Sequence, residues 1–384
     1  MTHIQIPLGV LEQQPVPPPG CVVSIEKVSA YLNASSTTVS VDLTKGQDYS
    51  KCIPILATRG YHSGSSLSNA VYWAVGAELW DNSGTPAIRF TRGTITADVQ
   101  KWMVCYVIEF NDDITVQQIP ITISGTLITK NVACSTVDQS RAFAFTSFYS
   151  TNWSYPPDGE FRVYFTSDTN VQLDRGLSRA GALTGYVYVV EDVSTAAPYH
   201  FNVQNLTGSS GTTINNTIDL TIPTPVDFGS TMLVSSMCSS SSITATTNNL
   251  NIDFHLVDED TVQLRTLIGP YDKDYSVFVV EWTDGTSVQR GFFSENYTTA
   301  AAAHSTNIAL GTAVDTDKSF GHWTITMNWS NNLQVNQNNV SSYYESMAVI
   351  DLVAGGGSFN VIRQTTTTSL TASAYWEVIQ VPKI

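Results

Sequence analysis

Three carboxylates stand where chemistry could occur. Glu109, Glu191 and Glu281 each close an apolar, β-rich run, Val104–Glu109, Val187–Glu191 and Val277–Glu281. Paired acids held a fixed distance apart are the apparatus of glycoside hydrolysis. The spacing argues against that use, because one acid falls in each run and the fourth run, Trp376–Val381, carries Gln380 in the acid's place. An arginine precedes each acid or its glutamine by 17, 16, 16 and 17 residues: Arg92, Arg175, Arg265 and Arg363. The expectation is structural: Arg92 with Glu109, Arg175 with Glu191 and Arg265 with Glu281 form ion pairs that close the edge of a core.

Other reactive residue types give weaker signals. The histidines, His3, His62, His200, His255, His304 and His322, are scattered, with no HExxH motif and no shared position in the repeat described below. That leaves neither a zinc site nor a histidine-based triad to expect. No GxSxG elbow or GxxxxGK[ST] loop occurs, and Gly355–Gly357 reads as a hairpin turn. The acidic clusters 258–260 and 272–274 lack a DxDxDG calcium pattern and read as solvated turns. Trp80, Trp153, Trp323 and Trp329 would suit a sugar-stacking platform if exposed, but tryptophan more often packs in a sandwich core. The cysteines, Cys21, Cys52, Cys105, Cys134 and Cys238, are odd in number and contain no CxxC pair. They read as small buried hydrophobes, with Cys21 the one to watch for cross-linking. No catalytic, cofactor-binding or metal-binding residues are assigned, and the chain is expected not to be an enzyme.

The elements that carry these residues repeat. An Asp in a turn precedes an apolar strand four times, at Asp48, Asp138, Asp227 and Asp315, spaced 90, 89 and 88 residues apart. The turn Asp, the Arg and the strand-end acid recur in one order. The acid-ending runs are continuously apolar, as strands buried on both faces are. Short strands with turn signals between them predict antiparallel sandwiches. The fold class expected is all-β: four tandem antiparallel β-sandwich domains, Ig-like or jelly-roll-like, of seven or so strands each, at 21–112, 113–195, 196–285 and 286–384. Short polar joins would leave them as beads on a short string, with packing between neighbours as the alternative. Residues 1–20, with Pro15 and Pro17–Pro19, form an extended arm whose Ile4, Ile6, Leu8, Val10 and Leu11 could lie across a neighbouring subunit.

Composition narrows the function classes. Charged residues make up only 13% of the 384 residues, about half the ~25% of ordinary soluble domains. Helices usually carry Glu and Lys on their outer faces, so very little helix is expected, apart from a brief Ala-rich run at Ala300–Ala303. A net charge of −15 argues against a direct grip on nucleic acid. No long apolar span or signal peptide is read, so no membrane contact is expected and assembly in a host cytoplasm is.

The order of turn Asp, apolar strand, Arg strand and strand ending Val-Val-Glu resembles repeated β domains of tailed-bacteriophage virion structural proteins. The likeness covers about 21–384, with an insertion near Tyr61–Ala70. It implies a particle component without an active site, whose roles include capsid decoration, neck or collar, and tail accessory functions. The implied partners are other virion proteins, capsid, neck or tail, in a homo-oligomer. A different expectation is a receptor- or carbohydrate-binding tail protein that takes a host-surface saccharide, with exposed aromatics around Trp323, Trp329 and Tyr343–Tyr344.

Overall fold

In the computed structural model, the residues described are 19–33, 35–45, 48–62, 75–93, 99–150, 161–175, 182–195, 197–211, 216–239, 252–266, 272–297, 301–324, 334–335, 348–365 and 370–382. The protein is all-β. Among the described residues there is no α-helix, and hence none long and apolar enough to cross a membrane. The Ala-rich run expected to favour helix opens a strand at Ala301 instead, paired to a later strand as far as Ala309. Sheet pairing there outweighs the helix preference of alanine, which is worth only tenths of a kcal/mol per residue.

The strands fall into four successive sets. The first is β1 (Val22–Leu32), β2 (Thr38–Asp42), β3 (Cys52–His62), β4 (Gly76–Asn82), β5 (Thr85–Thr91) and β6 (Val99–Phe110). The second is β7 (Ile114–Ile123), β8 (Thr129–Ala133), β9 (Ala142–Ser150), β10 (Arg162–Ser167), β11 (Asn170–Asp174) and β12 (Leu183–Asp192). The third is β13 (Phe201–Ser209), β14 (Asn216–Thr221), β15 (Thr231–Ser239), β16 (Ile252–Leu256), β17 (Thr261–Thr266) and β18 (Lys273–Trp282). The fourth is β19 (Ser287–Tyr297), β20 (Ala301–Ala309), β21 (Ser319–Trp323), the short β22 (Gln334–Val335), β23 (Ala348–Leu352), β24 (Ser358–Thr365) and β25 (Leu370–Gln380).

Every set makes the same two antiparallel sheets. One has the last strand in the middle: β1-β6-β3, β7-β12-β9, β13-β18-β15 and β19-β25-β21, with β22 added on β25. Counted without the short β22, the other has the fifth strand in the middle: β2-β5-β4, β8-β11-β10, β14-β17-β16 and β20-β24-β23. Six strands thus recur where about seven were expected. Between β4 and β5 a two-residue hairpin, Ser83 (φ 57°) and Gly84 (φ 91°), supplies the left-handed backbone that such turns require.

The middle strand of each first sheet is buried on both faces, and that explains its unbroken apolar sequence. In β18, Tyr275, Val277 and Val279 pack with Phe254, Val262 and Leu264 of the same unit's second sheet. The alternate residues Phe278 and Val280 join a separate apolar cluster shared with the other units. Phe278 meets Phe165 of the second unit edge-on, with ring centroids 5.8 Å apart.

The units are not beads on a string. The fourth strand of each unit reaches the unit that follows. Ala77 of β4 donates its N–H to Ser147 Oγ (2.7 Å) and accepts from Tyr188 at its carbonyl (3.3 Å). Val163 N–H in β10 donates to Ser236 Oγ (2.9 Å), and Phe254 N–H in β16 donates to the Thr324 carbonyl (3.3 Å). The last link returns to the start: Tyr106 in β6 accepts from Leu352 N–H of β23 (3.1 Å) and donates to the Ile350 carbonyl (3.3 Å). The four units therefore close into a ring. The bond from Lys27 Nζ to Asp351 (2.8 Å) and the donation from Lys318 Nζ to the Val23 carbonyl (2.8 Å) reinforce the closing contact.

Replacing Tyr106 by Phe keeps the apolar packing but strips two buried backbone groups of their partner. The expected loss is about 1–3 kcal/mol in chemical denaturation, the usual cost of such unsatisfied groups. A change within about 0.5 kcal/mol, typical of an unremarkable surface substitution, would show that this hydrogen bond does not hold the ring.

Candidate functional site

The marker residues identified from sequence are brought into each unit, but not as expected. The strand-end acids accept from the turn Asp backbone: Asp48 N–H to Glu109 Oε1 (2.9 Å), Asp138 N–H to Glu191 Oε1 (2.7 Å) and Asp227 N–H to Glu281 Oε1 (2.7 Å). The Asp side chains cap the same turns, accepting from the N–H of Ser50, Ser140 and Gly229. Hydrogen bonds from Ser50 and Ser140 hold Asp48 and Asp138 below the usual carboxylate range. Acid and Asp together brace the turn that enters the third strand of the first three units.

The arginines lie at the other end, so the expected pairs Arg92–Glu109, Arg175–Glu191 and Arg265–Glu281 do not form. Arg92 donates to the carbonyls of Asn33 (2.6 Å) and Ser36 (2.9 Å), and Arg175 to that of Gly125 (3.0 Å). Arg265 pairs with Asp253. Each Arg closes the second sheet just before the chain crosses to the middle strand of the first. That strand then travels roughly 30 Å, at about 3.4 Å per residue, before reaching its acid. Sequence spacing was therefore no guide to contact.

Cys21 is a free, fully buried thiol. A cross-link between chains needs an accessible sulfur, so that expectation fails. The arm residues Ile4, Ile6, Leu8, Val10 and Leu11 lie outside the described residues. Of the tryptophans considered for sugar stacking, Trp323 is buried and donates to the Ala348 carbonyl (3.1 Å), while Trp80 is covered by Arg89 at 4.6 Å. Trp153, Trp329 and Tyr343–Tyr344 are outside the described residues.

The contact between the third and fourth units differs from the others. Three residues before the marker acid, the middle strand carries Tyr106 in the first unit and Tyr188 in the second, each bonded to the preceding unit's fourth strand. The fourth unit has Glu377 there, opposite Arg290 and His322 in the sheet register. The Glu377 carboxylate turns to other partners: Leu233 N–H (3.0 Å), His322 Nε2 (3.2 Å) and Arg290 Nε (3.3 Å). Burial alone would raise its pKa, but the His322 ring 3.2 Å away and the positive charge of Arg290 outweigh it and hold the pKa below the ordinary value.

Beside this carboxylate a cavity of about 190 Å³ opens, lined by Phe228, His255, Phe292, Tyr375 and Trp376 among others. The matching contact between the first and second units leaves only about 10 Å³. His255 and Tyr375 stack at 3.9 Å, Phe292 leans on Tyr375 at 4.9 Å, and Arg265 lies over both rings of that second pair. Arg290 covers Phe228 and donates to its carbonyl. Two buried polar atoms of the lining, Trp376 Nε1 and His255 Nδ1, have no hydrogen-bond partner. Faces of aromatic rings with unpaired polar atoms beside them thus line the cavity.

A second convergence lies where the units join. The residue just before the first strand is Cys21, Asp113, His200 and Thr286 in the four units. Cys21 Sγ, a His200 ring nitrogen and an Asp284 carboxylate oxygen lie within 4.8 Å of one another, and all three residues are buried. Reading the histidines for motifs missed this group, because equivalent positions hold different residue types. Aligning the residues that enter each first strand would have exposed it.

No protein-family model and no curated protein matches the chain, so the functional reading rests on the geometry.

The placement of the arginines yields a sharp expectation: a double-mutant cycle with Arg175→Ala and Glu191→Gln should show coupling within about 0.5 kcal/mol, as for sites without shared partners. Coupling above about 1 kcal/mol in denaturant unfolding would restore the ion pair.

The cavity carries its own pH signature. Burial, with help from Arg265, lowers the His255 pKa from 6.5 to about 4. A group whose folded pKa is depressed contributes stability that is complete above the unfolded value and is lost as pH falls towards the folded one. Wild-type protein should thus lose stability between pH 6.5 and 4 more steeply than His255→Gln. Equal slopes in denaturation midpoints across that range would contradict a neutral, partly buried His255.

Proposed function

We propose that the chain is a non-enzymatic structural component of a bacteriophage virion, decorating or cementing the head or neck and held there by its N-terminal arm. The observation that carries this is the closed ring. Four units, each bonded to the next by the same strand, make a body whose internal surfaces are already used. What remains for partners is the outer rim and the N-terminal arm that precedes Gly20, a residue packed against Pro382. Alternating exposure along β2 and β8 gives the rim a polar face, and the acidic charge of −15 favours solubility at high local concentration. Partners are other virion proteins, including further copies of this chain.

The cavity between the third and fourth units favours a second reading, a tail accessory protein that takes a host-surface saccharide. Phe292 is about half exposed at its mouth. Its volume lies below the ~300–1,000 Å³ of sites for drug-sized ligands and suits a single sugar ring.

Deleting residues 1–18 stops short of the packed residues Gly20 and Cys21, so the ring should fold while incorporation into particles is lost. Normal occupancy of the truncated chain would remove the anchor. Antibody labelling of the fourth unit on intact particles separates the two readings: label over the head or at the neck fits decoration, and label confined to the tail tip fits saccharide binding.

A further inference from the structure

The junction cluster has a chemical composition that the packing of a ring does not need. Cys21, His200 and Asp284 come from the entrance to the first unit, the entrance to the third and the join between the third and fourth. The carboxylate of Asp284 is fixed from several sides: Oδ1 accepts from Thr286 N–H (3.1 Å) and its hydroxyl (2.7 Å), and Oδ2 accepts from Cys21 N–H (3.1 Å). The Cys21 sulfur lies beside this carboxylate, within 4.8 Å of one of its oxygens. His200 is fixed at its backbone, where its N–H donates to Asp192 Oδ2 (2.5 Å), and at its ring, where Nε2 lies 3.2 Å from Asp113 Oδ2. Its other ring nitrogen, Nδ1, is buried without a hydrogen-bond partner, on a side chain that is only 3% exposed.

We propose that Cys21, His200 and Asp284 bind one divalent transition-metal ion of the zinc class, which ties the ring shut where its units join. Sulfur, imidazole nitrogen and carboxylate oxygen are the donors zinc takes, and three protein ligands leave a fourth position for water. His200 binds through Nδ1, and Nε2–H donates to Asp113, the carboxylate–histidine arrangement that fixes the tautomer of a metal-bound imidazole. Zinc–ligand bonds of about 2.0–2.3 Å place tetrahedral donors roughly 3.5 Å apart. The three donors, already within 4.8 Å of one another, need close by only about an ångström. On binding, the thiol proton passes to solvent and the sulfur coordinates as thiolate. Asp113, whose side chain is half exposed, marks the side from which the ion enters.

Cobalt(II) reports both the sulfur and the geometry, and the full chain, purified with chelator and then dialysed free of it, is the material to titrate. The expected result is one Co²⁺ per chain, with a thiolate-to-cobalt charge-transfer band and the intense visible bands of tetrahedral cobalt. Zn²⁺ should displace it and raise the melting temperature. Cys21→Ser should abolish the charge-transfer band, His200→Gln should weaken binding at least tenfold, and Cys134→Ser, at a partly exposed cysteine elsewhere, should change nothing. Absence of saturable binding, binding without the sulfur band, or a band that survives in Cys21→Ser would each overturn the assignment. Should Cys21→Ser fail to fold, alkylation of the wild type followed by peptide mapping decides. Zinc should slow labelling of Cys21 severalfold and leave Cys134 unaffected, and an unchanged Cys21 rate defeats the proposal.

Discussion

The structure depends on one sheet in each unit being covered twice. The sheet formed by the first, third and last strands packs its own partner sheet on one face and the preceding unit on the other. Burial of a Val or Phe side chain contributes about 1.5–3 kcal/mol, and β18 offers residues of this kind to both faces, Val277 and Val279 to one and Phe278 and Val280 to the other. A single unit released from the ring would expose one of these faces to water. Folding of the units and closure of the ring are thus coupled.

Closure has a second consequence, because equivalent positions meet different neighbours. Tyr at one position of the middle strand ties adjacent units together through Tyr106 and Tyr188, whereas Glu377 at the same position turns aside to Arg290 and His322. The third unit carries Phe278 there, against Phe165 of the second unit, and the contact with Glu377 holds the cavity of about 190 Å³. Beside Glu377 the cavity presents aromatic faces with the unpaired Trp376 Nε1 and His255 Nδ1. At the junction the same logic brings Cys21, Asp113 and His200, equivalent in place and different in kind, towards one point.

Several local features were legible because short-range rules govern them. The unbroken apolar runs Val187–Val190 and Val277–Val280 announced strands covered on both faces, and the structure buries all of these residues. The turn aspartates announced tight turns, and Asp48, Asp138 and Asp315 cap short 3₁₀ turns before the third strand of their units. The Arg–Glu pairs were misjudged because a strand separates its ends by tens of ångströms. A regular interval in sequence then fixes two residues at opposite ends of a unit just as readily as side by side.

The sequence by itself determined the all-β class and the strands that would be buried, because alternation, turn chemistry and apolar runs act within a few residues along the chain. It could not determine which unit would touch which, nor that Leu352 would return to Tyr106. It also could not place Cys21, His200 and Asp284 together across more than 260 residues of chain. Those contacts depend on the angle at which successive sheets pack, a property of the whole ring that no local pattern encodes. Tertiary structure therefore decided both the cavity and the junction cluster.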